Sequence, residues 1–298
     1  MGNPKLTYAL VTPVRDEVEA LPRLAQSILD QSVPPDKWVI VDTGSMDSTP
    51  EVARRLAKET PWVLATAIDQ LELARGGPIV RAFLRGVELV VPPTDVIVKV
   101  DADVTVPPTF FESISDRFRT IEDLGIASGS LYEWEDGTWR RQKRGTDNFI
   151  RGACRAYRWE CLGEILPLEE RIGWDGLDLV KARIRGWKTE QFEDLGFRHH
   201  RMRGERDQSR LKSWYAVGEA AHYMGYRPYY AILRSVFQTR RDVRATALIA
   251  GFLMASLRRR QRHADPQVLA YVRNQQRLRS LPRRTAEALG WTNGARYL

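Results

Sequence analysis

The sequence predicts an α/β fold: a mostly parallel, Rossmann-like sheet with helices on both faces, then a C-terminal helical extension. Three observations predict it. Short apolar runs alternate with helix-spaced segments through the first hundred residues. Three of these runs lead to polar residues, Thr12, Asp42 and Asp101, and ligands of open parallel sheets sit at such carboxyl ends. After Ser209 strand-like runs give way to helical ones.

Leu6 to Val11 reads as the first strand, stopped by Thr12-Pro13. Glu17 to Asp30 carries Leu21, Leu24 and Ile28 at helical spacing. Trp38 to Val41 is the second strand, and Ser48 to Lys58 a helix with Ser/Thr capping potential. Trp62 to Ala67, Ile79 to Val90 and Asp95 to Val100 continue as strand, helix, strand. Beyond Pro107 the alternation loosens. Gly125 to Tyr132 reads as a strand, Glu133 to Thr146 as a polar loop, and Arg151 to Ile165 as mixed. Leu177 to Ile184 is a helix stopped by Gly186, and Trp187 to Phe192 a strand. Four helices then span Ser209 to Met224, Pro228 to Phe237, Asp242 to Arg262 and Pro266 to Leu281. A soft boundary near Gly204 divides the chain into 1–204 and 205–298.

Charge divides at nearly the same place. Residues 1–197 hold 25 basic and 32 acidic side chains; residues 198–298 hold 21 and 6. An acidic body, net −7, therefore carries a basic tail, net +15. Arginine dominates, 38 against 8 lysines, and its fork suits phosphates. With 43% apolar residues, wholesale disorder and fibrous classes are excluded. Cys154 and Cys161 are too few for a disulfide scaffold or a zinc site and read as reduced packing residues. The expected location is cytoplasmic, without a signal peptide. The longest uncharged apolar stretch, Ala245 to Leu257, is 13 residues, short of the roughly 20 a membrane span needs. It runs into Arg258-Arg259-Arg260, a pattern suited to shallow insertion at an anionic membrane face, here the inner one. A buried helix or a dimer interface is the rival use, and the oligomeric state stays open.

Four segments carry the candidate chemistry. Val100-Asp101-Ala102-Asp103-Val104 places two carboxylates at a strand end, where they can share a divalent cation, with Asp103 the direct ligand. Val41 to Thr49 (VDTGSMDST) puts Asp42 in the crevice, with Gly44 permitting a tight turn. Thr12 to Glu17 (TPVRDE) offers Arg15 and Glu17 over the sheet edge. Arg81, in the first turns of the Ile79 helix, has a charge that suits a diphosphate.

In this order and at these strand ends, the four resemble glycosyltransferase family 2 enzymes of the GT-A fold, over about residues 5–200. Pro13 to Val18 resembles the family's P-x-x-N-E-x, with Asp16 where Asn is common. Val41 to Thr49 resembles V-D-D-G-S-x-D-x-T, with Thr43 for the second Asp. Asp101-Ala102-Asp103 resembles the D-x-D. The resemblance implies a nucleotide-sugar donor and Mn²⁺ or Mg²⁺ held by Asp103. Thr12, Pro13, Arg15, Glu17, Asp42, Gly44, Arg81, Asp101 and Ala102 would then line the donor pocket. It also implies a general base opening a later helix. Here Gly173 to Lys188 supplies Asp175, aligned through Gly186-Trp187-Lys188, and Asp178, aligned through the D-L pair. Asp175 is preferred. His199-His200 follows the last strand, and His200 is the expected additional metal ligand.

The implied reaction is inverting transfer of a sugar to a hydroxyl of a glycan or lipid-linked acceptor, in envelope polysaccharide or glycolipid synthesis. Two other readings stay open: a non-catalytic glycan- or lipid-binding scaffold, and a D-x-D-x-T phosphatase built on Asp101 to Thr105. Nucleic acid is the least expected partner.

Overall fold

In the computed structural model, described residues are 6–69, 76–142, 150–200, 210–240, 242–280 and 282. They form one nine-stranded sheet flanked by helices, in the order β3-β2-β1-β4-β8-β6-β9-β5, with β7 on β6. The strands are β1 (Tyr8–Val14), β2 (Lys37–Asp42), β3 (Val63–Ala67), β4 (Val96–Val100), β5 (Val104–Thr105), β6 (Leu124–Glu135), β7 (Thr138–Arg141), β8 (Cys154–Arg158) and β9 (Lys188–His199). The β3-β2-β1-β4 half is wholly parallel. A long parallel β6–β9 ladder adds to it, while β8 is antiparallel to both β4 and β6. The sheet is therefore mostly parallel, with antiparallel pairs at β8, β7 and β5.

The helices are α1 (Ala20–Leu29), α2 (Thr49–Glu59), α3 (Gly77–Glu88), α4 (Phe110–Thr120), α5 (Trp159–Ile165), α6 (Trp174–Ile184), α7 (Arg210–Tyr223), α8 (Pro228–Thr239), α9 (Ala247–Leu257) and α10 (Pro266–Gln275). Alternation along the strands splits the core in two. Tyr8 and Leu10 of β1 join Leu21, Ile40 and Phe111 on one face. Ala9 and Val11 join Val39, Phe83 and Tyr157 on the other. A strand buried on both faces reads as a continuous apolar run, which is why LTYALV has no polar alternation.

Several expectations are corrected. The first strand continues through Thr12 and Pro13 to Val14, because each of these residues registers with β2. The polar loop begins as a hairpin instead: β6 reaches Glu135 and turns through Asp136-Gly137 into β7, with Trp134 packed edge-on against Trp139 at 5.4 Å. Helix α4 was hidden where the alternation loosened; it buries Phe110, Phe111, Ile114 and Phe118. Ser48 makes no side-chain cap on α2. Asp47 accepts from Thr49 N at 2.9 Å instead. The expected boundary near Gly204 lies outside the described residues.

The C-terminal helices form a small core of their own, from Ala221, Ala231, Leu248 and Phe252. Helices α7 and α9 meet at Gly218 and Gly251, where any side chain would strike the facing backbone. One side of Ala245 to Leu257 is therefore buried by α7, while Leu253 and Leu257 stay exposed. Among the described residues no helix is long and apolar enough to cross a membrane.

Candidate active site

The ends of β1 and β2 carry the first half of the site. Asp42 ends β2, 7% exposed, and accepts from Gly44 N at 3.2 Å and from the Ser45 hydroxyl. Gly44 has φ +86°, the left-handed region that glycine adopts freely, which lets the loop fold back over the carboxylate. The neighbouring loop is tied to it: Asp16 N donates to Ser45 Oγ at 2.9 Å, and Met46 N donates to Asp16 Oδ1 at 2.7 Å. Glu17, buried, fixes its backbone by donating from N to Thr49 Oγ1 at 2.7 Å. Pro13 and Arg15 are half-buried at this edge. Thr12 is not at the edge. Its side chain is fully buried and accepts from Trp38 Nε1 at 2.9 Å, so it holds two strands together.

The second half lies at the end of β4. Ala102 is buried, leaving Asp101 and Asp103 as the polar groups of the turn. Asp101 is ion-paired to Lys99 Nζ, and Lys99, 1% exposed, also donates to Gly152 O at 3.0 Å. Two residues apart on one strand, Lys99 and Asp101 share a face. Asp101 still exposes 35% of its side chain.

Asp103 faces His199, not His200. His199 Nε2 lies 3.4 Å from Asp103 Oδ1, and its buried Nδ1, 3.9 Å from Glu133 Oε1, makes no hydrogen bond among the described residues. The register explains the choice: His199 sits opposite Val104 in the β5–β9 pair and opposite Glu133 in the β6–β9 pair. His200 points elsewhere. Its Nε2 is 2.8 Å from Thr105 Oγ1 and its ring packs edge-on against Trp139. Burial, with Arg23, His199 and Arg198 nearby, lowers the His200 pKa.

Do these groups fit a divalent cation? Donors at about 2.0–2.2 Å from a metal stand roughly 3 Å apart when adjacent. The 3.4 Å between Asp103 and His199 agrees. Among the described residues no set of three metal-ligating side chains converges. Such a pair suits an ion completed by substrate phosphates and water.

Helix α6 brings the third part. Gly173, φ +90°, turns the chain so that Trp174 and Asp175 open the helix. Asp178, 1% exposed, is fully engaged: it receives Arg155 Nη1 at 2.6 Å, Tyr157 OH at 2.7 Å and Leu179 N at 2.6 Å. Arg155 is itself wholly buried and donates to the carbonyls of Asp175, at 2.8 Å, and Ile150. Asp178 is thus the counter-ion of a buried arginine. Asp175 differs. It stays partly exposed, its Oδ2 beside Gly152, and among the described residues no side chain donates to it. Burial raises its pKa; Arg155 pulls it down and Asp178 pushes it up.

Arg81 is drawn to the loop before α6. Its Nε lies 3.4 Å from Glu170 Oε2, with both side chains about half exposed. Gly76 and Gly77 admit that loop, since a side chain at either would strike the backbone of Arg171 or Glu170. The structure thus brings Asp101 and Asp175 to Lys99 of β4, sets Asp103 against His199, and leaves Asp42, Arg15 and Glu17 at the β1–β2 edge. Lys99, Arg155, Tyr157 and His199 were missed by sequence reasoning. Lys99 had a signal, its same-face spacing from Asp101; Arg155 and Tyr157 had none without the β4–β8 register.

Known proteins resemble this chain in sequence and in fold. The sequence is 26% identical over 210 residues to the glycosyltransferase AglD of Haloferax volcanii, covering 62% of this chain and 32% of that one. The chain thus spans about a third of that relative's length. The fold resembles the Pyrobaculum calidifontis mannosyltransferase PcManGT, solved with GDP-Man and Mn²⁺: TM-score 0.59, 15% identity, 96% of this chain and 85% of that one. It also resembles S. aureus TarS 1-349, solved with UDP-GlcNAc: TM-score 0.56, 15% identity, 83% and 72% coverage. The pattern of glycosyl transferase family 2 matches residues 9–232, about three quarters of the sequence. This chain belongs to glycosyl transferase family 2, on a GT-A fold.

Proposed function

We propose that the protein is an inverting glycosyltransferase that moves a sugar from a nucleoside-diphosphate sugar to a hydroxyl of a glycan or lipid-linked acceptor. The observation that carries this reading is Asp175: a partly exposed carboxylate of raised pKa, beside Gly152 and within the field of Lys99, the lysine that pairs with Asp101, while its neighbour Asp178 is consumed by Arg155. Asp175 takes the proton of the acceptor hydroxyl as that oxygen bonds to the anomeric carbon. The bond from that carbon to the diphosphate breaks, and the electron pair leaves with the nucleoside diphosphate. Attack opposite the leaving group inverts the centre.

Asp42, Arg15 and Glu17 would border the nucleoside at the β1–β2 edge. Asp103 and His199 would hold Mn²⁺ or Mg²⁺, which when bound neutralises charge on the departing diphosphate. Lys99 keeps Asp101 oriented. Relatives of the fold bind GDP-Man and UDP-GlcNAc, which supports a nucleotide-sugar donor. The helices after the 201–209 segment would form the basic extension. Exposed Ile232, Leu233 and Val236 on α8, with Leu253 and Leu257 on α9 beside Arg258 to Arg260, support peripheral contact with an anionic membrane. An enzyme there would serve envelope polysaccharide or glycolipid synthesis.

The test is a thermal-shift screen of nucleotide sugars, with and without Mn²⁺. A donor should raise the melting temperature only with metal, and that mixture should slowly release nucleoside diphosphate. Release of inorganic phosphate would instead indicate the phosphatase. Binding without any turnover, alone or with candidate acceptors, would indicate the scaffold.

A further inference from the structure

A cavity of about 270 Å³ lies between the loop that launches α6 and the C-terminal helices. Its wall on the catalytic side is Arg171 and Ile172, just before Gly173 and the base Asp175. Its other walls come from α7, α9 and the segment after α9, including Glu219, His222, Tyr223, Arg260 and Gln261. The base and this cavity therefore share one short segment. Gly173, at φ +90°, packs directly against Met224 and Ala220 of the helical extension.

The lining is built for an anion. Arg171 lies over the Tyr223 ring at 3.5 Å, which holds its planar group in place. Arg260 pairs with Glu219 at 2.9 Å, so the two arginines outweigh the one carboxylate. His222 is 4% exposed, and among the described residues its Nδ1 has no hydrogen-bond partner. An orphaned buried nitrogen is costly, and a ligand oxygen bearing a proton would satisfy it. Burial and nearby Arg262 lower the His222 pKa, which favours the neutral, accepting ring. The volume sits near the low end for small-molecule sites, about 300–1,000 Å³, enough for one compact polar group.

We propose that this cavity holds a phosphate-bearing group of the acceptor, and so positions the acceptor hydroxyl for Asp175. The inference rests on the transferase reading. A neutral glycan leaves the excess positive charge of Arg171 and Arg260 over Glu219 unbalanced; a phosphate monoester balances it, and its hydrogen-phosphate O–H or a neighbouring hydroxyl donates to His222 Nδ1. The source is either a lipid headgroup or a soluble sugar phosphate.

The test is calorimetric titration of the full chain with glycerol 1-phosphate and with glycerol, in EDTA so that no metal assists phosphate in the donor pocket. Phosphatidylcholine vesicles with and without phosphatidic acid form a second arm. Glycerol 1-phosphate should bind and glycerol should not. Arg171→Gln and Arg260→Gln should each weaken binding about tenfold. His222→Phe should weaken it, and His222→Asn should restore part of the loss. Metal-dependent binding of GDP-Man or UDP-GlcNAc should be unchanged in all four variants. Circular dichroism confirms that each is folded. If Arg171→Gln and His222→Phe weaken binding to phosphatidic acid vesicles, the source is a lipid headgroup; an effect of these two on the soluble probe alone assigns a sugar phosphate. No binding of any phosphate probe, or binding that survives every substitution, overturns the cavity assignment. If donors fail to bind while glycerol 1-phosphate binds, the cavity stands as a phosphate site and its role in transfer is overturned.

Discussion

The β1–β2 edge and the start of α6 both present aspartates at the sheet's carboxyl side, and the two regions use them differently. At the β1–β2 edge the carboxylates are spent on backbone. Asp42 clasps Gly44 and Ser45, Asp16 takes Met46 N, and Asp47 takes Thr49 N. These bonds shape a rigid rim for a ligand. At α6 one carboxylate, Asp178, receives three donors and neutralises Arg155, while Asp175, three residues before it, is left with a destabilised charge. A buried carboxylate that accepts three donors is architecture. One kept nearly undonated in a protein-lined niche is available for proton transfer.

The contrast can be broken by substitution. The largest effect expected is on turnover. Asp175→Asn should cut transfer by about 10²–10⁴-fold, the usual span for a lost general base, with donor affinity retained. Its stability should hold or rise. The folded pKa of Asp175 lies above its unfolded value, so the stability it contributes is present below the unfolded pKa and is lost as pH rises through the folded one. At neutral pH the ionised group is thus a cost that Asn removes.

Asp178→Asn should do the reverse in denaturant melts: a loss of about 3–5 kcal/mol, because Arg155 is left charged and unpaired in the core. A melting curve like the parent's would show that Asp178 is not the arginine's counter-ion. His199→Ala should weaken Mn²⁺-dependent donor binding by at least about tenfold, and His200→Ala by much less. Equal losses would mean that the β5–β9 register does not decide the metal side. The smallest effect belongs to Thr12→Val, about 1 kcal/mol of stability through Trp38, with donor affinity unchanged.

The parallel half of the fold was legible because both of its signals are local. Runs such as WVIV and VIVKV are buried on both faces, and the α1 apolar stripe recurs at helical spacing. What failed depends on distant pairing. The β6–β7 hairpin looks like a polar loop because its outer face is solvated and its strand character comes from cross-strand partners. Neighbours on a strand point to opposite faces, so one of His199 and His200 had to face inward. Which one was set by β5 and β6, which the local sequence does not encode. Likewise Asp175 and Asp178 look equivalent until β8 delivers Arg155 and Tyr157 beneath the second.

We propose that Asp175 is the base and that the Arg155–Asp178 pair tunes its protonation. The most direct measurement is the pH dependence of kcat/KM for the parent, Asp175→Asn and Asp178→Asn, with nucleoside diphosphate release as readout. The parent should show an acid limb at a pH above the ordinary aspartate value, since burial raises the Asp175 pKa. In Asp178→Asn the limb should move to lower pH, because a like charge is removed and Arg155 is uncovered. In Asp175→Asn it should vanish along with most of the rate. A limb that persists unchanged in Asp175→Asn would contradict the account and place the base elsewhere.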